Sequence, residues 1–287
     1  MKTIAEYDQE IQQDPKNAEL YRLRGIEYAN KRDYDRAIID YDQAIKLNPS
    51  CAKTYNSRGV AYRQKGDLDR AIDDFDQAMR FDPNFARPYI NRGIAFELKD
   101  EPDRAVADYD KAIQIDPNDA DAYHNRGGVY SSSGVAYLYG VNDIDKGNAF
   151  LDRAITDYNK AIEINPDDAM VYMERGMVYC NKNNFDKAIN DFDQAIRLDP
   201  DYAHAYSQRG DSYKRKNDFD RAIADYNQAL QLDPNLIPAY HGRALMYFND
   251  IHDYAKAIAD WEAVLKLDPN DSAASFNIER AKKRLIT

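Results

Sequence analysis

Residues Ala18 to Pro49, AELYRLRGIEYANKRDYDRAIIDYDQAIKLNP, set the organisation of the whole chain, because their landmarks return at a fixed spacing. A proline closes each copy, at Pro15, Pro49, Pro83, Pro117, Pro166, Pro200, Pro234 and Pro269, at intervals of 34, 34, 34, 49, 34, 34 and 35 residues. In the quoted copy Tyr21, Gly25 and Tyr28 share one helical face, and Ala37, Tyr41 and Ala44 share another after the KRD break. Each half is too short to persist alone in water, and each exposes an apolar stripe that only a neighbour can cover. The copies therefore stack. Gly25 presents no side chain where the two helices meet, and Ala37 and Ala44 are small, so the backbones can approach while tyrosines fill the remaining volume. Pro49 pushes Asn48 out of the α region and ends the second helix.

The order aromatic, glycine, aromatic, alanine, aromatic, alanine, proline reads as Tyr21, Gly25, Tyr28, Ala37, Tyr41, Ala44 and Pro49. It returns as Tyr55, Gly59, Tyr62, Ala71, Phe75, Ala78 and Pro83, and comparably in five later copies. This pattern resembles the tetratricopeptide repeat (TPR), a helix-turn-helix of the same length. The resemblance implies an all-α, right-handed TPR superhelix, an α-α solenoid of seven repeats with half-repeat caps. It also implies a non-catalytic scaffold or adaptor for protein-protein interaction.

The expected organisation is a single array over 1–287. It comprises an N-terminal half-repeat at 3–15, repeats one to three at 18–117, repeat four at 120–166, repeats five to seven at 169–269 and a capping helix at 272–286. A solenoid grows along one axis, so this length does not demand two cores. In repeat four the small residue of the second helix, Ala154, arrives 15 residues late. Fifteen residues is about four helical turns, which preserves helical phase and, split evenly, lengthens the hairpin by roughly 11 Å. Gly134, Gly140 and Gly147 argue against uninterrupted helices there. Repeat seven carries one extra residue in its NDIHDY turn, with Ala244, Trp261 and Val264 at places that elsewhere hold glycine, Tyr or Phe, and alanine.

The formal charge of −11 argues against a nucleic-acid backbone or an anionic membrane as the main partner. Cys51 and Cys180 fall in separate repeats, with no disulfide framework and no metal-ligand spacing. MKTIAEYDQE has no apolar stretch of signal-peptide length, and no segment reads as a membrane span, which points to a cytoplasmic protein. No phosphate loop, histidine pair or nucleophile setting is present, so the expectation is no enzyme, no cofactor and no metal. His124, His204 and His241 read as solvated groove residues.

Just before the glycine position stand Arg24, Arg58, Arg92, Arg126, Arg175, Arg209 and Arg243. Just before the second-helix aromatic stand Asp40, Asp74, Asp108, Asp157, Asp191, Asp225 and Asp260. An arginine that meets an aspartate in its own repeat or the next would build a ladder of ion pairs; the alternative is a guanidinium lying over a tyrosine. Seven copies mark the role as structural.

In the family the first helices line a concave groove for peptides or partner helices, and the resemblance projects two neighbourhoods onto it. Arg22, Lys53 and Arg87 with Asn56, Asn91 and Asn125 form a basic, amide-bearing end. Ile26 and Ser57 replace two asparagines of the family's carboxylate clamp. Met170, Met173, Met177 and Cys180 lie at spacings of 3, 4 and 3 on one helix face, a polarizable surface for an apolar side chain. The inserted hairpin offers a second candidate surface, Tyr137, Leu138, Tyr139, Val141 and Phe150, for docking or self-assembly; the alternative is that these pack on one another. The expected partner is a protein or peptide, with no nucleic acid and no integral membrane segment, and the chain a monomer or weak homo-oligomer. Arg280, Lys282, Lys283 and Arg284 read as the solvated face of a capping helix.

Overall fold

A computed structural model describes residues 2–286, which form sixteen helices and no strand. They are α1 (Ile4–Gln13), α2 (Ala18–Asn30), α3 (Tyr34–Leu47), α4 (Ala52–Gln64), α5 (Leu68–Phe81), α6 (Ala86–Leu98), α7 (Pro102–Ile115) and α8 (Ala120–Val135). There follow α9 (Ile144–Ile164), α10 (Ala169–Asn181), α11 (Phe185–Leu198), α12 (Ala203–Arg215), α13 (Phe219–Leu232), α14 (Ile237–Met246), α15 (Tyr254–Leu267) and α16 (Ser272–Ile286). Residues up to Tyr130 form one compact unit and those from Ser131 onward a second.

Similar local chemistry sets most of the hairpins, the third differing in that Pro102 opens its second helix without a side-chain cap. The first helix stops at a residue in the left-handed region, among them Arg32, Gly66, Asn183 and Asn217. An N-cap side chain then starts the second helix: Asp33, Asp67, Asn184 and Asp218 accept the N–H of the third residue onward at 3.1 to 3.3 Å. Each second helix ends on an extended residue ahead of the proline, as at Asn48, whose N–H donates to Ala44 O at 2.8 Å.

In the first unit the core is built around Tyr41, Phe75 and Tyr109, all fully buried. A methyl on Gly25 would stand 2.6 Å from Tyr41 Cε1, so the missing side chain is what admits the ring. In the second unit Leu151, Tyr158, Phe192, Tyr226 and Trp261 play the same part.

The arginines form a ladder. Arg24, Arg58, Arg92, Arg175, Arg209 and Arg243 each donate Nε and Nη2 to the two oxygens of the second-helix aspartate of their own hairpin, at 2.6 to 2.9 Å. The remaining Nη1 reaches back to the preceding second helix, at Asp8, Asp42, Asp76, Asn159, Asp193 and Asn227 respectively. Arg126 makes the same backward contact, to Asp110. Own-repeat pairing is as the spacing suggests; the second bond runs to the preceding repeat, not the next. The guanidinium also lies over a tyrosine of its own helix, 5.6 Å for Arg24 and Tyr21, so the two alternatives coexist.

The insertion is two extensions and one bulge. The left-handed stop comes 14 positions after the first helix residue in repeat one (Ala18 to Arg32), 15 in repeat seven (Ile237 to His252) and 22 in repeat four (Ala120 to Asn142). In both irregular repeats a π-helical turn, Ala136–Val141 or Tyr247–Ile251, absorbs a single residue. What remains in repeat four is seven residues on each helix, two turns, which keeps the core stripe in phase. The helices run on through the glycines. Gly134 faces Leu151 and Gly147 faces Leu138, with a methyl on either at 2.6 to 2.7 Å from the leucine, so these glycines serve helix contact.

Candidate functional site

Counting from the first residue of each first helix, the projected groove residues fall at offsets of 1, 4, 5, 8 and 11, with Asn91 and Asn125 at 5. In the first unit the cations at these places are largely matched. Arg22 donates to Glu19, with Nε at 2.8 Å, and Arg87 to Asp121 at 2.6 Å. Lys53 is exposed. The amides turn inward: buried Asn91 donates to Asn56 Oδ1 at 2.9 Å, and Asn125 Nδ2 to the carbonyl of Asp121 at 2.7 Å. The predicted open basic end is therefore mostly self-satisfied, because facing carboxylates sit one helix turn or one repeat away. Arg63, which the sequence reading missed, lies at offset 11. Its Nε is buried with no hydrogen-bond partner among the described residues, and burial holds its guanidinium below the usual range.

In the second unit α10 carries the methionines, and they divide. Met170 is 51% and Met177 41% exposed, whereas Met173 is 5% exposed and packs with Ala188, Phe192, Ala195 and Ala205. Met173 is thus core, not surface. The small Ala205 on the next first helix leaves a space that its flexible chain fills. Cys180 Sγ lies 3.3 Å from Ser212 Oγ, and burial pushes its thiol pKa up, so it is an inert packing group.

His204 is exposed. His241 is not merely solvated: its Nε2 lies 2.9 Å from Asp271, which also accepts the N–H of Ala274 and so caps α16. Further along the same face, a recess of about 380 Å³ is lined by Lys214, Arg215, Asn217, Leu245, Asn249 and Asp250.

At the inserted hairpin, three of the five docking candidates are occupied. Tyr137 stacks on Phe150 with ring centroids 5.5 Å apart and accepts from Lys146 Nζ at 2.6 Å, and Leu138 closes on Gly147. Tyr139 and Val141 stay largely exposed, joined by Ile144. The tip has one seam between its two helices, and Tyr137, Leu138 and Phe150 lie half-buried along it.

Among the described residues no cluster of three or more His, Cys, Asp or Glu could hold a metal, and no helix is long and apolar enough to cross a membrane.

Comparison with known proteins agrees with this geometry. Family models described as "TPR repeat" match residues 101–134, 150–183 and 176–217, and models described as "Tetratricopeptide repeat" match 22–86 and 203–236. A search of curated proteins returns no match. Among solved structures, the Cut9–Hcn1 hetero-tetramer of APC/C aligns with TM-score 0.67 and 22% identity over 97% of this chain and 52% of that one. This chain thus spans about half of that relative's length. YrrB, described as a TPR protein with an unusual peptide-binding site, aligns with TM-score 0.54 and 22% identity over 71% of this chain and 97% of its own. An IFIT1 monomeric mutant with Gppp-AAAA aligns with TM-score 0.71 and 16% identity over 98% of this chain and 66% of its own. At these identities the likeness is one of fold. With the repeat landmarks, the helix pairs and the family matches in agreement, this chain belongs to the tetratricopeptide repeat family.

Proposed function

We propose that this protein is a non-catalytic scaffold that captures a peptide or helix of a partner protein on the first-helix face of its second unit. The observation that carries this reading is the exposure of Met170 and Met177 on α10. A helix that already buries Val171, Met173 and Val178 has no packing need for two more methionines facing water, and flexible thioethers suit an adaptable apolar contact. The TPR fold supports an interaction role, and YrrB, a TPR protein with an unusual peptide-binding site, is a relative in fold.

The test is binding of a partner peptide by wild type and by Met177→Glu, with the melting temperature followed in parallel. Unchanged melting with lost binding supports the reading, and unchanged binding refutes it. A second reading, assembly through the hairpin tip, rests on exposed Tyr139, Val141 and Ile144. A concentration-dependent dimer in sedimentation that Tyr139→Glu abolishes would favour it.

A further inference from the structure

Arg280 and Lys283 of α16 fall on the groove register, and Arg284 one position beyond it. Phe276, Arg280, Lys283 and Arg284 stand 4, 8, 11 and 12 positions after Ser272, as Met173, Met177, Cys180 and Asn181 do after Ala169. On α12, Lys214 and Arg215 occupy offsets 11 and 12, and at the end of the next first helix Phe248 and Asn249 do. Two contacts tie these positions together: Lys214 and Arg215 line one recess with Asn249, and the Arg280 guanidinium lies over the ring of Phe248.

Its chemistry differs from the rest of the chain. The ladder arginines are matched by carboxylates at close range. Arg280 meets no carboxylate at ion-pair distance among the described residues; its Nη1 donates only to Asn277 at 3.2 Å. Arg280 instead lies between two rings, 5.0 Å from the centroid of Phe248 and 5.7 Å from that of Phe276. Phe248 is buried and braced by Tyr254 and Trp261, so it is a fixed platform. Phe276 is 64% exposed. Arg215 is exposed and likewise has no ion-pair partner among the described residues, while Lys214 is tied to Asp211 at 3.1 Å. A helix that only solvates the end of an acidic array needs neither an exposed phenylalanine nor an arginine held in place by rings. A held guanidinium beside an open aromatic is suited to a carboxylate flanked by an apolar side chain.

We infer that this C-terminal part of the face binds an acidic peptide segment carrying an apolar residue, with Arg280 and Arg215 taking carboxylates and Phe276 covering the apolar group. This names the chemical class of partner for the capture face described above and rests on that reading. The chain's net charge of −11 makes the patch a local exception, so salt-sensitive attraction is confined to it.

The test is fluorescence anisotropy on the full chain with four labelled probes: an octapeptide of glutamates around one phenylalanine, its glutamine counterpart, a neutral amphipathic helical peptide, and single-stranded oligoadenylate. The acidic probe is expected to bind wild type, weaken with salt, and lose roughly tenfold in affinity with Arg280→Glu, the scale of one charge-assisted hydrogen bond. Phe276→Ala, an exposed change that leaves the core intact, is expected to weaken it severalfold. Equal binding of the glutamine probe, or no effect of either variant, overturns the inference. Tighter binding of oligoadenylate overturns it in favour of nucleic acid. If the neutral probe alone binds and Met177→Glu removes it, the acidic class fails and capture on this face stands; if no probe binds, both fail.

Discussion

Arg92 Nε and Nη2 grip the two oxygens of Asp108 at 2.8 and 2.6 Å, and Asp108 is buried. Nη1 of the same guanidinium reaches Asp76 on the preceding second helix. Burial alone pushes the Asp108 carboxyl up; the paired guanidinium opposes it, and Arg92 itself is held above its ordinary range. Removing the cation therefore strands a buried carboxylate. We expect Arg92→Ala to cost about 3 kcal/mol in urea unfolding, and the double change Arg92→Met with Asp108→Leu to recover most of it. Equal loss in the double variant would deny the pair its role.

Gly25 and Tyr41 give the second prediction. Gly25→Ala places a methyl 2.6 Å from a ring that is 1% exposed and cannot withdraw, so a loss of about 1 to 3 kcal/mol is expected. Gly140→Ala meets nothing within 4 Å and should be neutral or slightly stabilising. Thermal melts of the two variants make the comparison.

The methionines of α10 separate by the same measurement. Met173→Glu buries an unpaired carboxyl among Ala188, Phe192 and Ala205 and should lower the melting temperature sharply. Met177→Glu should leave it within a few degrees. Similar melts for both would show that Met173 is not core.

Acid should loosen the last helix. The Asp271 carboxyl is held below the usual carboxylate range, first by the N–H of Ala274 and then by His241. A depressed folded value means that its contribution is complete above about pH 4, the unfolded carboxylate value, and is lost as pH falls further. Amide exchange in α16 should rise below that pH in wild type, and Asp271→Ala should show the faster exchange already at neutral pH, with about 1 kcal/mol lost.

Much of this was legible beforehand. The proline interval, the glycine opposite an aromatic ring, and arginine sixteen residues ahead of aspartate all depend on distances along one or two helices, and helical geometry turns such distances into faces. Phe276 and Arg280 of α16 were readable too, since their offsets match those of Met173 and Met177, but a cap helix invites a solvation reading and hides the register. The inserted glycines misled for a related reason. Propensity treats Gly134 and Gly147 as breaks, whereas two helices crossing closely favour them.

By itself the sequence determined the repeat, the helix pairs, their caps and the own-repeat ion pairs, because each is set within a single stretch of about 34 residues. Only the tertiary structure decided what stands opposite. It buried Met173 under Ala205, turned Asn91 onto Asn56, carried the third arginine bond back to the preceding repeat, and closed Tyr137 and Leu138 into the hairpin seam. Periodicity says which face a side chain occupies; whether that face meets water, a carboxylate or an alanine belongs to the neighbouring helix.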